Sequence, residues 1–274
     1  MKELIIEVLL TIQGIAAASG IVYQDKKIVI VSDNSILLYR YDMKAQQLAK
    51  DTLIWNDIAE NVPKKQKADF EAITQTKGVF YVFGSGSGAR RNSLITYNPE
   101  RNAKDSIDLK PVYENLMQKF GISDKDFNIE GAVSMGNEWW LFNRGNGPNK
   151  KNGVFILEKR TFRPKDFFAV SLPTLQAVET GFTDATLVDG KIYFTAAAED
   201  SNSSYHDGEI KGTLIGRLDP KTRKLEYTQT LSEKNKFEGI SLFRKSKHRL
   251  EFLLCEDEDA DVSASKIYKV TIPR

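Results

Sequence analysis

The chain is poor in the residues that most often staple a fold or carry out chemistry. It has one cysteine, Cys255, and two histidines, His206 and His248, among 274 residues. One cysteine excludes an intramolecular disulfide and fits a reducing compartment. No Gly-x-Ser-x-Gly segment occurs, so a serine-hydrolase elbow has no support. No apolar run reaches the roughly 18 residues of a membrane helix. Basic residues number 39 and acidic residues 37, a net charge of +2. Such a balance sets up no global field to draw nucleic acid or an anionic membrane. The reading expects a cytoplasmic monomer with neither nucleic acid nor membrane as partner. Its alternative is export, because Met1 to Gly20 imitates a signal peptide with an apolar run and Ala16-Ala17-Ala18-Ser19. Glu3 and Glu7 interrupt that run, which favours a structural strand.

What the chain does have is a phrase that returns about every 55 residues. It reads Ala18-Ser19-Gly20-Ile21-Val22, Phe70-Glu71-Ala72-Ile73-Thr74 and Ile129-Glu130-Gly131-Ala132-Val133. It continues as Thr183-Asp184-Ala185-Thr186-Leu187 and Phe237-Glu238-Gly239-Ile240-Ser241. Four copies carry an acid followed by a small residue. A fixed period of this length marks an array or a propeller. Each unit opens into four short β-rich runs with turn signals between them, such as Thr76-Lys77-Gly78 and Val188-Asp189-Gly190. The last unit lacks a fourth run, and the first is preceded by a spare one at residues 3–11. The fold expected is all-β: one five-bladed β-propeller domain over residues 1–274. Its blades start near 18, 70, 129, 183 and 237, and the N-terminal strand completes the last. A β-sandwich is the competing architecture, but it gives no reason for an acid at a fixed place. One helical insertion is expected over Pro111 to Phe120, stopped by Gly121.

The innermost strands of a propeller line its channel, so Glu71, Glu130, Asp184 and Glu238 gather near one axis. They share a face with the loops that join second to third strands. Those loops carry Asp33, Arg90, Arg91, Arg144 and His206. Crowded carboxylates are relieved by a cation, by protonation or by inserted arginines. Oxygen-only donors suit calcium, so the four acids are candidate metal ligands. Alternatively, each acid caps backbone N–H groups of the neighbouring blade. Arg90, Arg91, Arg144, Asp33 and His206 are candidate ligand-binding residues, the guanidinium fork suiting a phosphate or carboxylate. The Gly84 to Gly88 run reads as a flexible hairpin tip. Asp257, Asp259 and Asp261 have calcium-loop spacing, but Val262 stands where such a loop needs glycine. Cys255 reads as an inert core thiol. No residue is assigned a catalytic role.

The Glu-Gly/Ala-Ile/Val blade starts, with Gly84-Ser85-Gly86-Ser87-Gly88-Ala89-Arg90-Arg91 and Phe142-Asn143-Arg144-Gly145-Asn146-Gly147, resemble an uncharacterised bacterial β-propeller family over nearly the whole chain. The Phe-Glu-Gly-Ile form is also similar to phytase-like esterase and SdiA-regulated propellers, some of them calcium-associated. The first function expected is a binding module that holds a small anionic ligand or a protein partner at the pore face, with Ca2+ as a candidate cofactor. The second is a calcium-dependent hydrolase of an ester or phosphoester, which the resemblance implies.

Overall fold

The structure, a computed structural model, describes residues 4–200, 208–257 and 264–274. Strand β1 (Ile5–Gln13) precedes the first blade, which holds β2 (Ala18–Gln24), β3 (Lys27–Ser32), β4 (Leu37–Asp42) and β5 (Gln47–Thr52). Blade two holds β6 (Phe70–Thr76), β7 (Val79–Gly84), β8 (Ser93–Asn98) and β9 (Ala103–Asp108), followed by helix α1 (Lys110–Phe120). Blade three holds β10 (Ile129–Met135), β11 (Glu138–Asn143), β12 (Gly153–Glu158) and β13 (Pro164–Ala169). Blade four adds a short strand β14 (Thr174–Leu175) to β15 (Val178–Val188), β16 (Lys191–Asp200), β17 (Glu209–Asp219) and β18 (Lys224–Ser232). Blade five holds β19 (Phe237–Lys245), β20 (Arg249–Glu256) and β21 (Ala264–Pro273). Its fourth strand is β1, antiparallel to β21 from Ile5 opposite Thr271 to Gln13 opposite Ala264. The molecule is therefore a five-bladed β-propeller closed by its N-terminal strand.

The second strand of each blade is apolar throughout because both of its faces are covered. Successive side chains of a strand point to opposite faces. Ile28 and Ile30 join a cluster with Leu253 and Cys255 of blade five. Val29 and Val31, one place along, join Phe70 and Val82 of blade two. Trp139 packs with Phe83 of blade two and Trp140 with Phe182 of blade four. The fifth cluster joins Val188 and Tyr193 to Phe237 and Phe252. Five apolar seams, one between each pair of neighbouring blades, form a closed ring of core.

Helix α1 lies where the spacing placed it. It ends in a left-handed Gly121 at φ 65°, whose N–H bonds to the Met117 carbonyl. Its Tyr113 and Leu116 are buried in the seam between blades two and three, and the Tyr113 hydroxyl donates to the Gly84 carbonyl at 2.9 Å. The Gly84 to Gly88 run is thus anchored against this helix and is no free tip. A Cβ on Gly86, at φ +76°, would come within 2.5 Å of Phe127 and 2.8 Å of Tyr113. Among the described residues, no helix is long and apolar enough to cross a membrane.

Candidate functional site at the pore mouth

Every innermost strand begins with the same defect. Pairing slips by one residue between Ala18 and Gly20, Phe70 and Ala72, Ile129 and Gly131, Phe182 and Asp184, and Phe237 and Gly239. The skipped residue is a β-bulge, freed from the ladder. These residues are Ser19, Glu71, Glu130, Thr183 and Glu238. The acid of the recurring phrase is therefore the bulge residue in blades two, three and five, and the bulge is a hydroxyl residue in blades one and four.

The small residue after the bulge has a steric cause. A Cβ at Gly239 would lie 2.9 Å from the Ile21 nitrogen, and one at Gly131 would lie 3.1 Å from the Asp184 Cα. Each faces the inner strand of the next blade, so small residues let the five strands close around the axis. Asp184 occupies this position in blade four. The repeat register shifts by one there, and Asp184 matches Gly131 rather than Glu130. Its carboxylate accepts from the Ile240 N–H of blade five at 2.8 Å and from the Ala185 N–H at 2.7 Å. Asp184 is a cross-blade cap, buried to 1% exposure, and that burial pushes its pKa well up.

Around the bulges, the ends of the second strands bring up charged groups, and the mouth divides into two halves. Blades three to five form a paired half. Arg144 donates to Glu130 at 3.3 Å and to Glu199 at 2.6 Å, with Glu238 at 3.9 Å. Lys236 lies 2.8 Å from Glu238, 3.4 Å from Asp257 and 3.6 Å from Glu199. Asn128 adds a 2.6 Å hydrogen bond to Glu130. Burial raises the pKa of Glu130 and Glu238. At Glu199, Arg144, Lys236 and the Gly208 N–H outweigh burial and lower it.

Blades one and two form an open half. Oxygens of Asp33, Asp69 and Glu71 all lie within 4.8 Å of one another. Asp69 is 2% exposed. It accepts from Arg91 at 2.8 Å and from Ser85, and lies 2.7 Å from Lys67. Lys67 also pairs with Asp33. Among the described residues, Glu71 has neither hydrogen bond nor ion pair, and the second carboxylate oxygen of Asp33 is buried without a donor. Burial first, then Glu130, Asp69, Asp33 and Glu238, push the Glu71 pKa well up. Burial likewise raises Asp33, while Asp69, Asp33 and Glu71 overcome burial to raise Lys67.

Across both halves, seven carboxylates (Asp33, Asp69, Glu71, Glu130, Glu199, Glu238 and Asp257) face four cations (Lys67, Arg91, Arg144 and Lys236). Among the described residues the mouth is negative. Arg91 is committed to Asp69, Ser87 and the Lys64 carbonyl, and Arg144 to glutamates. Arg90 is exposed on the loop tip. His206, Asp259 and Asp261 lie outside the described residues. The sequence reading missed Lys67, Asp69 and Lys236. Asp69, Asn128 and Lys236 each stand two places before a bulge glutamate, as Asp-Phe-Glu, Asn-Ile-Glu and Lys-Phe-Glu. That polar position is a readable second phase of the same repeat.

Comparison with solved structures agrees with this architecture. The glutaminyl cyclase of Myxococcus xanthus superposes with a TM-score of 0.58 at 11% identity, covering 98% of this chain and 97% of that one. An exo-1,5-α-L-arabinanase from a bovine ruminal metagenomic library gives 0.55 at 11% identity over 95% and 96%. A luciferin-regenerating enzyme gives 0.53 at 8% identity over 98% and 95%. Likeness at such identity shows the fold alone. None of the curated proteins matches the sequence significantly. A family model does match, over residues 14–272, and the chain belongs to that family, a family of unknown function (DUF6929).

Proposed function

We propose that this propeller is a binding module whose pore mouth takes a divalent cation, calcium by its donor chemistry, at Asp33, Asp69 and Glu71. The observation that carries this reading is the meeting of three carboxylates within 4.8 Å, one of which has no cation of its own among the described residues. All the donors are oxygens, which suits a hard cation. The Lys67 ammonium already sits between Asp33 and Asp69 and marks the place as one where positive charge is favoured. A doubly charged ion would compete with this ammonium for the same oxygens.

The same charge balance sets the order of binding. Arg91 and Arg144 are engaged by internal carboxylates, so they have little attraction left for an anion. A bound cation reverses the local field and offers an open coordination position to a phosphate or carboxylate oxygen. A small anionic ligand therefore binds after the cation and through it.

Calorimetric titration of calcium into chelator-treated, dialysed full-length protein tests this reading. One site per chain is expected, with binding lost in Asp33→Asn and Glu71→Gln. Phosphorylated and carboxylated metabolites should shift the melting temperature only when calcium is present. Absence of calcium binding, or anion shifts that persist under chelation, would overturn the proposal. Metal-dependent turnover of an ester or phosphoester would extend it to hydrolysis.

A further inference from the structure

The near balance of 39 basic and 37 acidic residues hides a segregation. The inner strands run from the charged mouth to the opposite end of the pore, and neighbouring strands of each blade are antiparallel. The turns that join first to second and third to fourth strands therefore all lie on the far face. Those turns, with the residue after β21, hold eleven basic residues and three acidic ones. The rest of the chain consequently carries an acidic excess. A charge that vanishes in the total is present on one face.

The acids at this end do not offset it. Asp189 is shared by Lys245 and Arg274, Asp166 is taken by Arg223, and Asp219 and Glu226 are taken by Lys191. Eight of the eleven basic residues are exposed and, among the described residues, have no ion pair. Every blade contributes at least one of them: Lys26, Lys77, Arg160, Lys221 and Lys247 in chain order. Like charges held together on one face repel one another and draw an external anion. Two of the five exposed large apolar side chains also stand at this end. Ile5 opens β1, which starts at the far face because it runs antiparallel to β21, and Leu187 lies one residue before the end of β15.

We propose that the far face docks on a membrane surface containing anionic lipid. The cations are spread over all five blades in a ring, and a plane of headgroups meets the whole ring at once. A nucleic acid duplex presents its phosphates along a rod and meets only part of it. Single-stranded nucleic acid needs aromatic platforms, and the one aromatic residue in these turns, Phe162, is packed against the core between blades two and three. Exposed Ile5 and Leu187 find lipid at a membrane and no counterpart on a phosphate backbone. Docking in this sense leaves the charged mouth open to solvent. It reverses the expectation drawn from total charge, which averages over both faces, and it does not depend on the cation site.

The test is co-sedimentation of the full-length protein, in chelator, with vesicles of phosphatidylserine and phosphatidylcholine in equal parts. Wild type should sediment with these vesicles at low salt and stay in solution with phosphatidylcholine alone. Salt at about 1 M, where the Debye length is about 3 Å, should release it. A lysine near an anionic surface contributes about fivefold to affinity, so Lys221→Gln with Lys247→Gln should weaken binding about 25-fold. Lys65→Gln with Lys125→Gln removes the same charge from exposed positions at the opposite end and should bind like wild type. Chelator keeps the outcome separate from the cation site and excludes calcium bridging to lipid. Absence of binding to the mixed vesicles, or equal weakening by the two variant pairs, would overturn the proposal. So would release of the protein from the vesicles by duplex DNA of equal total charge, which would assign the face to nucleic acid.

Discussion

The two halves of the pore mouth solve one problem in opposite ways. Glu130 and Glu238 in the paired half and Glu71 in the open half occupy the same bulge position, with the same freedom from the strand ladder. The first two pair with Arg144 and Lys236, whereas among the described residues Glu71 has no ion pair and lies beside Asp33 and Asp69, with Lys67 feeling its charge only from beyond pairing distance. The difference arises one strand away. The residue that follows the second strand is Arg144 in blade three, Asp33 in blade one and Ser85 in blade two. The fold supplies a ring of positions, and the residues around each bulge decide whether its acid is neutralised from within or left for a cation from solution.

The largest effect should come from breaking the paired half. Arg144→Met leaves Glu130 and Glu199 buried without their guanidinium, and loss of one partner of a buried pair costs about 3–5 kcal/mol. Urea unfolding should show that loss with or without calcium. Lys67→Met in the open half should cost less, about 2 kcal/mol without cation. There, calcium should restore most of the stability and bind more tightly than in wild type, since its competitor is gone. Equal responses of the two variants to calcium would erase the distinction between the halves.

A pH series sharpens the same point. Glu71, Glu130, Glu238 and Asp33 all have folded pKa values raised above their unfolded ones. The folded state then binds more protons than the unfolded state above the ordinary carboxylate range, so stability falls as pH rises. Cation-free protein should have a higher urea midpoint at pH 5 than at pH 8. Calcium should flatten that slope, because it stabilises the ionised carboxylates of the open half. The smallest effect belongs to Asp184→Asn, which weakens a cross-blade cap by about 1 kcal/mol and should leave calcium binding unchanged.

Much of the architecture is readable before any coordinates. The period, the turn chemistry, the missing last strand and the spare first one identify five blades and their closure, and α1 follows from apolar spacing and Gly121. The register of blade four is not readable. Thr183-Asp184-Ala185 imitates the acid-then-small phrase, and only strand pairing reveals that Thr183 is the bulge. The arginines Arg91 and Arg144 are legible as occupants of the face, but not their engagement with internal carboxylates. That depends on Asp69 and Glu199, which stand at strand ends whose extents the sequence leaves open. Lys67 comes from a connecting segment without periodic signal.

The most direct measurement is the melting temperature of wild type and Glu71→Gln, each with chelator and with calcium at about a hundred times its dissociation constant. Such saturation adds about 2.7 kcal/mol to a protein with one native-state site, about 5–10 °C for a domain of this size. Wild type should rise by that amount. Glu71→Gln should start higher than wild type in chelator, having lost an unpaired acid, and should not rise. A wild-type curve unmoved by calcium, or an equal rise in Glu71→Gln, would contradict the assignment of the open half as the cation site.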